Sequence, residues 1–194
     1  MMECKDIVIS GGGIAGLVAA AAFGDAGFDV LCVDPTPTIM DRDTAGADLR
    51  TTAYLQPGQA FLQAIGVWPL VTKHSAALNV MRIVDAAGPE LVTKDFEAAD
   101  ISDGPFGWNV GNWDMRDALL SRILTLPNVI LGSGLFTTAT NNRSTEVRVT
   151  LSDRRLISCK LLIAADGRDS PIRRAAGIAA KRSEFGQLAL SFAV

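Results

Sequence analysis

The chain of 194 residues has one histidine, His74, and only three cysteines, Cys4, Cys32 and Cys159, spaced too widely for any metal motif. A zinc site or a cysteine–histidine nucleophile has little to build on, and no metal ligand is assigned. An odd number of scattered thiols suits buried residues in a reducing cytoplasm, with Cys4 and Cys32 falling in two expected strands. Basic blocks are missing too. Lys plus Arg is 18 against 21 for Asp plus Glu, a net charge of -3, and Arg154-Arg155, Arg173-Arg174 and Lys181-Arg182 are isolated pairs, so no nucleic acid is expected as a partner. No apolar run approaches the roughly 18 residues that span a bilayer. Ile14 to Phe23 lacks the basic flank of a signal peptide, because Glu3 and Asp6 surround Lys5. A cytoplasmic protein without transmembrane segments is expected, and peripheral membrane contact would leave no mark in the composition.

Glycine, by contrast, is abundant and patterned. Lys5 to Ser10 is rich in β-formers and runs into Gly11-Gly12-Gly13-Ile14-Ala15-Gly16, which satisfies G-x-G-x-x-G. The first glycine permits a tight turn out of the strand, the second admits a pyrophosphate against the backbone, and the third lets the next helix lie close to the sheet. That helix runs from Ile14 to about Ala26, with Gly27 ending it. Its first N–H groups, beginning at Ile14 and Ala15, make an anion site with no basic residue. Phe28 to Val33 reads as a second strand that Pro35 stops, and Asp34 stands at its end, 18 residues after Gly16. A carboxylate there accepts hydrogen bonds from the hydroxyls of an adenosine ribose, which points to FAD or NAD without separating them.

Further along, the polar stretch Thr36 to Thr52 is expected to be a functional loop. Gly58 to Gly66 shows Ala60, Phe61, Ala64 and Ile65 at helical spacing, and Trp68-Pro69-Leu70 continues into another turn. From Asn79 the period becomes two, and a turn at Ala87-Gly88-Pro89 predicts an antiparallel hairpin returning through Leu91 to Thr93. Phe106 to Val110 reads as a strand and Trp113 to Leu124 as a helix with Met115, Leu119 and Ile123 on one face. Val129 to Leu131 resumes the sheet, and Glu146 to Leu151 with Leu156 to Ser158 forms a hairpin. Leu161 to Ala165 is wholly apolar, as expected of a parallel strand covered on both faces, and Phe185 to Val194 is β-prone. After that apolar run, Ser170 is a good N-cap, Pro171 suits a first helical position and Gly177 closes the helix. Asp166 and Gly167 are thereby placed at the carboxyl end of a central strand, where open α/β sheets bind ligands. Gly167 admits a phosphate, and the acceptors of Asp166 suit a polyol.

Together, Gly11 to Gly16, Asp34 and Ala165 to Arg173 resemble the flavoprotein hydroxylases of the para-hydroxybenzoate hydroxylase type. Asp48-Leu49-Arg50-Thr51-Thr52-Ala53 resembles the D-x-R-x-x-A segment of their ubiquinone-biosynthesis branch, and Gly111-Asn112 with the following helix resembles that branch's next flavin-side segment. The resemblance implies an α/β fold: a Rossmann-like FAD-binding domain with a mainly parallel sheet, plus part of an inserted antiparallel substrate-domain sheet. It places the cofactor domain at 1–75 and 106–180 and the partial substrate domain at 76–105 and 181–194. Cofactor contacts are implied at Gly11, Gly13, Ile14, Ala15 and Gly16, at Asp34 and Pro35, and at Asp166 and Gly167. Arg50 and Asn112 complete that set; a guanidinium also has its own rationale beside a diphosphate. Trp113 stands where the branch usually carries arginine.

FAD as cofactor, NADH or NADPH as reductant, dioxygen, and an aromatic substrate with a lipid tail follow from the same resemblance, as does assembly with other ubiquinone-pathway proteins. The flavin carries the chemistry, so no catalytic side chain is assigned. Tyr54, Trp108 and Trp113 are read as core before substrate pocket. The family's proteins are longer, and their Gly-Asp segment for the riboflavin half lies beyond Val194, so weak FAD binding and little or no turnover are expected of these 194 residues alone. Two other readings are an NAD-dependent dehydrogenase, for which the second βαβ half is missing, and a catalytically empty nucleotide-binding module.

Overall fold

A computed structural model describes residues 2–36, 43 and 47–188; Asp41 and Arg42 of the polar stretch, and the end of the β-prone run at 189–194, lie outside the described residues. Along the chain the elements are β1 (Glu3–Ser10), α1 (Ile14–Asp25), β2 (Val30–Asp34), β3 (Thr51–Leu55), α2 (Gln56–Ala64), α3 (Trp68–Val71), β4 (Ser75–Leu78), β5 (Val80–Asp85) and β6 (Val92–Glu97). They continue with β7 (Gly107–Gly111), α4 (Asn112–Leu124), β8 (Val129–Ser133), β9 (Thr137–Asn142), β10 (Val147–Leu151), β11 (Leu156–Ala164) and α5 (Pro171–Ala175). The chain divides into two compact units, Met1–Ala47 with Leu119–Val194, and Asp48–Ala118.

The first unit is built on a six-stranded sheet in the order β8-β2-β1-β11-β10-β9. Its four strands β8, β2, β1 and β11 are parallel, and β10 and β9 add an antiparallel edge. One buried cluster joins Val8, Leu31 and Val33 to Val149, Leu151, Ile157 and Cys159. Helix α1 buries Gly16, Leu17, Ala20, Ala21 and Gly24, a stripe of mostly small residues that lets its backbone lie near the sheet; a Cβ on Gly24 would run into Val129 Cγ2. The second unit holds a three-stranded antiparallel sheet, β3-β7-β4, and a separate two-stranded hairpin of β5 and β6. The mainly parallel sheet, the antiparallel insertion and the hairpin are the architecture the sequence implies.

Local expectations fare unevenly. Met115, Leu119 and Ile123 are all buried, as helical spacing requires. In α2 the buried residue is Leu62, with Ile65 following, whereas Phe61 is 48% exposed, so the inward face is rotated from the one expected. Cys4 lies in β1 but is exposed, because β1 pairs with β2 only from Ile7 onward and its first turn of strand is open; Cys32 and Cys159 are buried. Leu156 to Ala164 forms one strand rather than two, antiparallel to β10 in its first half and parallel to β1 throughout. Its second half is not covered on both faces: Leu161 is 45% exposed, since the helix that follows, α5, is only five residues long.

Candidate functional site

Gly11 is the point where the first unit's central strands meet. Its N–H donates to Val33 O of β2 at 2.7 Å, while Ala165 N donates to Ser10 O at 2.8 Å on the other side. With φ of +113° Gly11 occupies backbone space that a side chain disfavours, and a Cβ would overlap Ala165 O and lie 2.8 Å from Asp166 N. Gly16 is equally constrained, because a Cβ there would overlap Gly11 O. Gly13 differs: nothing lies within 4 Å of its Cβ position, and the residue is exposed. The three glycines thus divide into two that the fold needs and one that leaves room for something outside the chain.

Asp34, at the end of β2, accepts from Gly12 N at 2.6 Å on Oδ2 and from Thr36 N at 2.8 Å on Oδ1. Each oxygen keeps a lone pair for an external donor. Pro35 follows, exposed. Helix α1 starts at Ile14 with Gly13 as N-cap, no capping side chain and no acid in its first turn, so the N–H groups of Ile14, Ala15 and Gly16 have no acceptor within the helix. Across β1, Asp166 follows β11; its Oδ2 accepts from Ile172 N at 3.2 Å and its Oδ1 is buried without a partner. An unmet buried acceptor is costly, and a hydroxyl donor from a ligand would satisfy it. Gly167 has φ of +90° and open space around it. Ser170 caps α5 by accepting from Arg173 N at 2.9 Å, which fixes the turn that aims Asp166.

Beneath the bend, Cys32 Sγ contacts Gly11 O at 3.7 Å, and burial, aided by the Asp34 charge, pushes its thiol up to about 12. The group is an inert filler.

Arg50 and Asn112 lie in the second unit, where they meet each other. Arg50 forms a bidentate pair with Asp48, Nε to Oδ1 and Nη2 to Oδ2, both 2.8 Å. Asn112 Nδ2 donates to Asp48 Oδ2 at 2.9 Å, and Thr52 Oγ1 donates to Asn112 Oδ1 at 2.6 Å. The hydrogen bond from Arg50, joined by that from Asn112, holds the Asp48 carboxyl well below the usual carboxylate range against the opposing effect of burial. The participation of Asp48 and Thr52 was not assigned from sequence, although the acid two residues before Arg50 was its visible sign. Trp68 and Trp108 meet edge to face with centroids 5.5 Å apart, and Tyr54, the cross-strand partner of Trp108, has a buried hydroxyl without a partner. Among the described residues no group of His, Cys, Asp or Glu is arranged to hold a metal ion, and no helix is long and apolar enough to cross a membrane.

A parallel sheet whose central strand ends in a steric glycine bend, flanked by Asp34 on one side and Asp166 on the other, defines a dinucleotide-binding α/β protein. Its open Gly13 face, uncapped helix start and unmet Asp166 oxygen fit a diphosphate-bridged cofactor carrying hydroxyls. The chain belongs to the FAD-binding domain family, which it matches over residues 4–194. Family membership separates FAD from NAD, which Asp34 leaves open.

Among curated proteins the chain is 32% identical to ubiquinone hydroxylase UbiL of Rhodospirillum rubrum, over 99% of this chain and 44% of that protein. It is 26% identical to 3-demethoxyubiquinol 3-hydroxylase of Escherichia coli, over 97% and 48%. The structure superposes on PqsL of Pseudomonas aeruginosa, a probable FAD-dependent monooxygenase, with a TM-score of 0.77 and 20% identity over 94% of this chain and 48% of that one, a likeness of fold. The chain spans less than half the length of the curated relatives it matches.

Proposed function

We propose that the chain is the amino-terminal, FAD-holding portion of a flavin-dependent monooxygenase that hydroxylates the aromatic ring of a polyprenylated phenol in ubiquinone synthesis. The observation that carries this reading is the interlock of Gly11 with Ala165 and Asp166, which sets two distant sequence segments on either side of one bend. The relatives from Rhodospirillum and Escherichia, a ubiquinone hydroxylase and a 3-demethoxyubiquinol 3-hydroxylase, support the substrate class.

When bound, FAD reduced by NADH or NADPH supplies the redox chemistry, with dioxygen as oxidant and one oxygen atom delivered to the ring. The residues of this chain hold and orient it. Gly13, Ile14 and Ala15 offer backbone N–H groups and open space to the diphosphate, with Gly11 and Gly16 shaping the bend. Asp34, beside Pro35, takes the adenosine ribose, and Asp166 and Gly167 take the polyol side. Arg50 and Asn112 complete the set of proposed cofactor contacts. The cofactor domain comprises 1–75 and 106–180, with 76–105 and 181–194 part of the substrate domain. A lipid-tailed substrate favours peripheral membrane contact and assembly with other proteins of the pathway.

The test is to load the chain with FAD, remove free flavin, and record the retained flavin spectrum beside the NAD(P)H-dependent hydroxylation of a polyprenylphenol, for these 194 residues and for a longer chain of the relatives' length. Weak flavin retention by the short chain and turnover by the long one are expected. Binding of NAD with no binding of FAD, or hydroxylation by neither chain, would overturn the reading.

A further inference from the structure

Asn112 is 9% exposed and held at three points: its backbone N–H donates to Arg50 O at 2.8 Å, its amide nitrogen donates to Asp48 and its amide oxygen accepts from Thr52. Asp48 in turn accepts from the Arg50 backbone N–H at 3.2 Å as well as from two nitrogens along one edge of its guanidinium. A line of hydrogen bonds therefore starts at a hydroxyl in β3, passes through a buried amide and ends on a guanidinium whose side chain is 73% exposed. A pair so exposed adds little to stability. What it settles is direction: the Nε–Nη2 edge is committed to Asp48, and Nη1, with the second N–H of Nη2, is left to donate elsewhere.

We propose that Asp48 is a positioning residue, holding Arg50 with its Nη1 edge outward so that the guanidinium meets a phosphate of the cofactor already ordered, while Asn112 locks Asp48 in place. This rests on the reading of Arg50 as a cofactor contact. Asp48 has two effects of opposite sign on such a ligand. Its charge repels a phosphate, but between exposed groups that repulsion acts through water and is screened over about 10 Å at 0.1 M salt. Its grip removes rotamer freedom that is worth up to about 30-fold in affinity for a long guanidinium side chain. The grip wins at moderate ionic strength.

The experiment measures FAD affinity by flavin fluorescence, and thermal melting, for the 194-residue chain and its Asp48→Asn, Arg50→Ala and doubly substituted forms, with Asp48→Glu as the conservative rescue. Asp48→Asn keeps the shape and the Asn112 contact but removes the charge-assisted pair, so affinity falls about tenfold with melting unchanged. In the Arg50→Ala background the same change costs nothing further, because Asp48 acts only through Arg50, and Asp48→Glu restores part of the affinity. In the ligand-free protein, nitrogen-15 NMR shows a slowly exchanging Arg50 Nε–H that Asp48→Asn abolishes. Equal or tighter FAD binding by Asp48→Asn, a loss that adds in full to Arg50→Ala, a lowered melting point, or an unprotected Nε–H in the parent each overturns the proposal. A silent Asp48→Asn beside a weakened Arg50→Ala sinks this proposal alone. An Arg50→Ala that binds FAD normally, or a parent chain that binds none, sinks the cofactor-contact reading with it.

Discussion

At the bend after β1 the donors left open belong to the backbone, and shape comes from side chains that are missing: Gly11 and Gly16 have no room for a Cβ, and Gly13 has room that the chain leaves unused. In the Asp48–Arg50–Asn112 cluster, donors and acceptors are mainly side chains, and the functional end stands in water. The backbone of the bend is held from two directions, by Val33 O and by the pairing of Ser10 with Ala165, bonds that carry no net charge for salt to screen. The Asp48–Arg50 pair is charge-assisted only while Asp48 is ionised. The cofactor contacts proposed for the two regions can thus be told apart by what disturbs each.

Gly16→Ala is the strongest way to break the comparison. The added carbon strikes the Gly11 carbonyl, a backbone atom that cannot step aside, and a loss of about 3 kcal/mol or outright misfolding is expected in thermal melting. Alkaline pH should disturb the bend next. The Cys32 thiol is raised from 9.0 to about 12, so its contribution is fully present below pH 9, where both states are protonated, and is lost as pH rises toward 12 and the unfolded thiol ionises first. Urea stability should fall by about 1.4 kcal/mol per pH unit in that window through this group, and Cys32→Ala should remove that part of the slope. Asp34→Ala leaves the N–H groups of Gly12 and Thr36 without this acceptor and should cost about 1–2 kcal/mol by urea titration.

Gly13→Ala sharpens the contrast. It should melt with the parent, within about 0.5 kcal/mol, yet weaken FAD about tenfold by fluorescence titration, because its carbon enters only the ligand's space. If it destabilised the chain as Gly16→Ala does, the division of the glycines into fold and ligand roles would be wrong. The smallest effect is expected at Arg82. It pairs with Asp95 across β5 and β6 in the same bidentate geometry as Arg50 with Asp48, at 2.7 Å, but on an exposed hairpin. Arg82→Ala should leave both melting and FAD affinity unchanged.

The legible residues are those for which one backbone form or one spacing has a single residue solution. Gly11, Gly16 and Gly167 stand where turns and close approach demand glycine, Ser170 and Pro171 open α5 as a cap and first residue do, and Met115, Leu119 and Ile123 mark one helical face. Less legible are residues whose state depends on a distant partner. Thr51 to Leu55 overlaps a polar stretch and becomes β3 only by pairing with β7, and Thr137 to Asn142, with no apolar alternation, becomes β9 only beside β10. Phe61 points outward although its spacing fits the inner face, because packing selected Leu62 instead.

The linear order of residues was enough to determine a parallel α/β sheet, a glycine bend followed by a helix, an acid at the end of the second strand and a second acid after a late one. Each is a short-range demand, met within a few residues of backbone. Tertiary structure alone decided that β11 lies beside β1, so that Asp166 and Asp34 flank the same bend, and that Asp48 and Thr52 join Arg50 and Asn112. Apart from the local Asp48–Arg50 pair, those are contacts between residues sixty or more positions apart, and the strand register comes from burying side chains over the whole sheet, a sum that no local stretch contains.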